Sequence, residues 1–236
     1  MSLFGPPNIE QMKAKRDVNG LIKALSYQLK SNDPEHRKVR QAASSALGDL
    51  GGPQAIEALV GVLGAIHPEE QTNAIFALIT VGAPAVGPLS LALQSGDLSV
   101  RIGAATALGG IDSKDGVAPL IQALRQNNTA VRVAAVKSLG KLNDPRACEP
   151  LTSLLRDEPK VQIEVLNVID KFKDSHALEP LIAELENPNH TGEVKAAMIK
   201  TLSGLQDMRA VESIINAFNN PQSDWHVRQA ASRALG

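Results

Sequence analysis

A ten-residue pattern recurs seven times, and nothing else in the chain constrains its fold as tightly. It reads VRQAASSALG at Val39–Gly48, VRIGAATALG at Val100–Gly109, VRVAAVKSLG at Val131–Gly140 and VRQAASRALG at Val227–Gly236. Looser copies begin at Glu70, Val161 and Val194. The copies start at 39, 70, 100, 131, 161, 194 and 227, a spacing of 30–33 residues. Self-similarity at such a period marks an array in which each unit buries its apolar face against its neighbours.

A second pattern precedes each copy: DVNGLIKAL (Asp17–Leu25), AIEALVGVL (Ala55–Leu63), AVGPLSLAL (Ala85–Leu93), GVAPLIQAL (Gly116–Leu124), ACEPLTSLL (Ala147–Leu155), ALEPLIAEL (Ala177–Leu185) and AVESIINAF (Ala210–Phe218). In both patterns apolar residues fall at i, i+3, i+4 and i+7, the spacing of one helix face. No stretch alternates with period two. Each repeat is therefore expected to be two helices, A then B, with no strands.

The punctuation agrees. Asp97, Asn128 and Asp224 stand three residues before the Val that opens a B pattern, where an N-cap belongs. Pro34, Pro68, Pro159 and Pro188 fall in A–B turns, and Pro53, Pro84 and Pro145 suit the first turn of A helices. Gly48, Gly109 and Gly140 are expected to close B helices as left-handed caps. The column Pro88, Pro119, Pro150 and Pro180 lies inside the A pattern, where Pro removes a helical hydrogen bond. A bent or restarted A helix is expected in those repeats.

At these residues the chain resembles the HEAT-repeat superfamily, specifically the PBS-lyase HEAT-like repeats. The resembling form is D-x-x-VR-x-x-A-x-x-ALG followed by A-x-x-P-L-I-x-A-L, and it extends over about residues 17–236. The resemblance implies an all-α, right-handed α-α superhelix, a HEAT-like solenoid of about seven helix pairs. The repeats are bounded at about 17–50, 51–81, 82–111, 112–142, 143–173, 174–205 and 206–236, with residues 1–16 as an N-terminal capping segment. Gly236 is the last residue of the seventh B pattern. Two expectations follow: either the sequence is a piece of a longer protein, or the last repeat docks on another chain or end to end on a copy of itself.

Charge and composition narrow the function. Lys and Arg total 24 against 25 Asp and Glu, a net charge of −1, without the basic excess of a nucleic-acid binder. No apolar run reaches membrane-spanning length. One Cys excludes an internal disulfide framework, and the N-terminus lacks signal-peptide order. A cytoplasmic protein that binds neither nucleic acid nor membrane is expected. The five His are scattered among turns with no metal-ligand spacing. Deoxyhypusine hydroxylases, a HEAT family, bind iron through His-Glu dipeptides, and this chain has none. Cys148 occupies a column otherwise held by Val, Ile and Leu, which assigns it to the core. No catalytic residue, cofactor or metal is expected.

The remaining candidates concern a protein partner. The resemblance implies that position two of the B pattern (Arg40, Arg101, Arg132, Arg228, with Gln71, Gln162 and Lys195) pairs with an acid of the neighbouring repeat. Asp97, Asn128, Glu158 and Asp224 are the acids and amide in the matching column. That ladder fades at Gln162 and Lys195, so the fifth and sixth repeats are expected to open most easily. Positions three, six and seven are expected on a concave B-helix face. There Phe76, Ile102, Val133, Lys137, Ile163, Leu166, Asn167 and Lys200 are candidate partner contacts, together with Trp225 in the last A–B turn. The competing expectation for the apolar members is packing between repeats. The leading function is a non-catalytic scaffold for another protein. The alternative, implied by the family's name, is a bilin lyase subunit or a chaperone-like partner of phycobiliproteins.

Overall fold

The computed structural model describes residues 6–29 and 33–236. Residues 1–5 of the expected capping segment lie outside it. Among the described residues there is no strand. The chain begins with α1 (Ile9–Ala14), α2 (Val18–Ala24) and α3 (Pro34–Leu50). It continues with α4 (Pro53–Val62), α5 (Pro68–Val81), α6 (Val86–Ala92), α7 (Leu98–Leu108), α8 (Val117–Ala123) and α9 (Thr129–Leu142). It ends with α10 (Cys148–Thr152), α11 (Pro159–Phe172), α12 (Leu178–Leu185), α13 (Gly192–Leu205), α14 (Arg209–Asn219) and α15 (Trp225–Leu235). From α2 onward the even-numbered helices are the A helices and the odd-numbered ones the B helices.

Backbone contacts divide the chain into two compact units, one up to Leu120 and one from Ile121. In the first, α3 packs on α5 and α5 on α7, while α2, α4 and α6 each pack on the B helix that follows. In the second, α9, α11, α13 and α15 pack in sequence, backed by α10, α12 and α14. The repeat pattern supplies the core. B-pattern position nine is Leu47, Leu78, Leu108, Leu139, Ile169 and Leu202 in the first six repeats, all fully buried, while Leu235 in the seventh is 42% exposed. Burying one such side chain contributes about 1.5–3 kcal/mol.

Helix starts follow the local chemistry. The side chains of Asp97 and Asn128 accept the first free backbone N–H groups of α7 and α9, and that of Asp224 accepts from Val227 in α15. Pro34, Pro68 and Pro159 stand at the first position of α3, α5 and α11, where a missing N–H costs nothing. At the amino end Asn8 caps α1, Ile9 is buried, and Lys13 pairs with Asp49 of α3 at 2.6 Å.

The Pro column restarts the A helices. Ala83–Ala85, Lys114–Gly116, Pro145–Ala147 and Ser175–Ala177 are each a single 3₁₀ turn, and the α-helix begins at the next residue. Pro88, Pro119, Pro150 and Pro180 are thus the third residues of their α segments. A helix leaves its first N–H groups without internal partners, so Pro there removes no bond. The contrast lies in α4 and α14, which carry Ala58 and Ser213 in that column and run without a break.

The glycines overturn one expectation. Gly48 and Gly140 lie inside α3 and α9, and Gly109 ends α7 with an ordinary right-handed conformation. The positive-φ caps are elsewhere: Gly51, Gly82, Asn143, Lys173 and Gln206. At Gly48 and Gly140 the missing side chain instead permits close helix approach. A Cβ on Gly48 would sit 2.8 Å from Cα of Ala77 in α5, and one on Gly140 would sit 2.7 Å from a Val168 methyl in α11.

Candidate interaction surfaces on the B helices

Position two of the B pattern shares one duty in six of the seven repeats, all but that of Lys195: it bonds the carbonyls that end its own A helix or the turn after it. Arg40 Nη1 donates to the carbonyls of Tyr27 and Gln28, Gln71 Nε2 to Ala65, and Arg101 Nη1 to Ser95. Arg132 donates to Gln126, Gln162 to Leu155, and Arg228 to Ser223, Asn220 and Pro221. Helix-terminal carbonyls lack intrahelical donors, and these side chains supply them.

The acids differ from expectation. Asp97, Asn128 and Asp224 spend their side chains on the N-caps. The partners across a joint are Glu70 for Arg40 (2.6 Å) and Asp157 for Arg132 (2.6 Å), with Glu158 a distant second at 3.9 Å. Nor does the bonding fade at Gln162. This buried amide donates to Leu155 and to His190 Nδ1 at 3.3 Å, while His190 Nε2 lies 3.0 Å from Glu184. Because Gln162 Nε2 is a donor, His190 Nδ1 accepts and Nε2–H donates to the carboxylate. Burial works against charge on Glu184, but bonds from Asn187, His190 and Arg156 outweigh it and hold its carboxyl below the usual range. The sequence carries one signal for this cluster. Glu184 is a carboxylate in an A-pattern column otherwise filled by Ala24, Val62, Ala92, Ala123, Leu154 and Ala217.

The candidate contact residues divide between the two units. Phe76 and Ile102 belong to the first; Val133, Lys137, Ile163, Leu166, Asn167, Lys200 and Trp225 belong to the second. Phe76 is 63% exposed on α5. Around it α3, α5 and α7 present Ser45, Thr72, Thr80 and Thr106, none of them charged. Ile102, Val133 and Ile163 are half-buried. Lys137, Asn167 and Lys200 are exposed, with Lys137 3.5 Å from Glu164 and Lys200 3.7 Å from Asp170. Trp225 is 64% exposed, its ring 3.8 Å from that of His226 at a 30° tilt.

Leu166 must be removed from the surface. It is 1% exposed, and its column neighbours Ala105, Val136 and Ile199 are fully buried. Position six is one turn beyond position two and three residues before position nine, so it shares their inward stripe. Thr201 of α13 confirms the contact by donating to the Leu166 carbonyl of α11 at 3.4 Å.

Chemistry elsewhere is sparse. Cys148 is buried, and burial, followed by Asp174, pushes its thiol up to about 11, far from a reactive thiolate. Among the described residues no group of three or more His, Cys, Asp and Glu is placed to hold a metal. No single described helix is long and apolar enough to cross a membrane. A groove of ≈ 410 Å³ lies between α13 and α15, lined by Ala196, Ala197, Lys200, Ser203, His226, Gln229, Ala230, Arg233 and Ala234. The signal for it was α13 itself, alone among the B helices in carrying Ala at both positions three and four.

Residues 85–165 match the family model of HEAT repeats, and residues 39–64 match that of the PBS lyase HEAT-like repeat. No curated protein sequence matches the chain significantly. Among solved structures, importin beta is similar over 97% of this chain and 39% of its own, at 16% identity and a TM-score of 0.58. YibA of Escherichia coli is similar over 96% of this chain and 85% of its own, at 16% identity and a TM-score of 0.52. The complex of CpcE and CpcF of phycocyanin lyase from Nostoc sp. PCC7120 is similar over 100% and 91%, at 20% identity and a TM-score of 0.45. The first two likenesses show a shared fold.

Proposed function

We propose that this chain, which belongs to the HEAT-repeat superfamily, is a non-catalytic scaffold that binds another protein through the exposed B-helix positions. The observation that carries the reading is Phe76. A large ring stands out between uncharged Thr72 and Thr80, one turn away on either side, in a chain where aromatics are only 3% of residues. Leaving such a ring in water has a cost that only a partner removes, and aromatic anchors of this kind dominate interfaces. Ile102 on the adjacent helix widens the apolar patch. In the second unit Val133, Lys137, Ile163, Asn167, Lys200 and Trp225 are the corresponding contacts.

The test is affinity capture with the wild-type chain and with Phe76→Glu, both checked by circular dichroism for intact helix. A protein retained by wild type and lost by the folded variant supports the reading. Identical retention by both removes the first unit's B face from consideration.

A further inference from the structure

The groove between α13 and α15 is built unlike the other B-helix joints. Position three is Ile102, Val133 and Ile163 on the middle B helices, but Ala196 on α13. Ala196 and Ala197, with Ala230 and Ala234 of α15, are half-buried and form its floor. Lys200 and Arg233 are exposed and form its rim. No Asp or Glu lines it.

The rim is net positive. Lys200 Nζ lies 3.7 Å from Asp170, but that carboxylate is already bound by Lys173 at 2.8 Å. Arg233 has no ion-pair partner among the described residues. A cation without a counter-charge beside an apolar floor is complementary to a ligand that brings carboxylates and aliphatic side chains together.

We propose that this groove binds an acidic amphipathic helix of a partner protein. The proposal rests on the scaffold reading and names the chemistry of one partner. Small side chains let a third helix lay its apolar ridge between α13 and α15, as helix-in-groove recognition requires. Lys200 and Arg233 hold the same B-pattern position on neighbouring helices, so their backbones are roughly 8–10 Å apart. Carboxylates two turns apart on a helix are separated by about 11 Å, which long side chains accommodate. A nucleic-acid backbone is the weaker match, because the chain's net charge is −1 and Asp170 stands beside the rim.

Two blocked 14-residue peptides serve as probes, one of Leu and Glu at helical spacing and one with Lys replacing every Glu. The full chain reports binding through Trp225, its single Trp, stacked on the groove-lining His226. The Glu peptide should give a saturable fluorescence change, weakening several-fold between low and physiological salt. The Lys peptide should give none. Arg233→Glu, at an exposed and unpaired site, should weaken the Glu peptide about tenfold, and Lys200→Gln should weaken it less. Equal binding of both peptides, no binding of the Glu peptide, or an unchanged affinity in Arg233→Glu overturns the proposal. So does displacement of the Glu peptide by a single-stranded oligonucleotide at lower concentration. If Phe76→Glu still abolishes capture of a protein while the peptide fails to bind, the scaffold reading stands and this groove is not its site.

Discussion

Two joints do the same job with different chemistry. Between α3 and α5, the guanidinium of Arg40 is 1% exposed, bonds Glu70 through two nitrogens and still reaches the Tyr27 and Gln28 carbonyls. Between α11 and α13, Gln162 reaches the Leu155 carbonyl and hands the rest to His190, Glu184 and Arg156. In both, position two satisfies the preceding A helix and ties to the next repeat. What the two joints share is the donor to the carbonyls; the charge of the side chain that supplies it is interchangeable.

The largest expected effect breaks the charged joint. Glu70→Ala strands a buried guanidinium and should cost about 3–5 kcal/mol in denaturant unfolding. Adding Arg40→Met should recover part of it, but not all, because the Tyr27 and Gln28 carbonyls lose their donor. A loss under about 1 kcal/mol in the single variant would show that the pair is dispensable.

Next comes the comparison of motif glycines. Gly48→Ala drives a methyl onto the backbone of Ala77, which has nowhere to go, and should cost about 2–3 kcal/mol. Gly140→Ala meets only a Val168 side chain, which can turn, and should cost about 1 kcal/mol or less once helix propensity is counted. Equal midpoints for the two variants would refute the close-approach role.

The joint built on Gln162 should respond to pH. Glu184 is held below the ordinary carboxylate range in the folded chain. Its contribution is therefore present above the unfolded value, about 4.3, and is lost as pH falls through the lowered one. Glu184→Gln should cost about 1–2 kcal/mol at neutral pH, and the gap from wild type should close toward pH 3. A gap that stays constant with pH would separate the cluster from the titration.

The smallest effect is kinetic. The sequence placed easy opening in both the fifth and sixth repeats. The Gln162 side chain donates to both Leu155 and His190, but the Lys195 side chain has no hydrogen bond or ion pair among the described residues. Amide exchange should therefore be faster at the α12–α13 turn than at the α10–α11 turn, by less than about tenfold. The reverse order would mean that position two does not govern local opening.

Much of the fold was legible because helix starts, Pro placement and the apolar stripe are local. Asp97, Asn128 and Asp224 cap as their spacing says, and the Pro88 column restarts its helices as Pro must. The candidate surface was less legible. Phe76, Lys137 and Lys200 are exposed as position seven suggests, while Leu166, one residue earlier in its own B pattern, is buried. An apolar side chain at helical spacing fits a groove and a repeat joint equally well, and only the distance to the next helix distinguishes them.

The succession of helix pairs, the starts of the capped B helices and the residues of the central stripe were readable from the amino-acid order, because these depend on contacts within about one turn. The tertiary structure alone decided where each remaining column points. It turned Gly48 and Gly140 from caps into points of close approach. It also assembled Gln162, His190, Glu184 and Arg156 from two repeats into one cluster. Each of those outcomes depends on the separation of neighbouring helices, and side-chain volume fixes that separation only once the helices have packed.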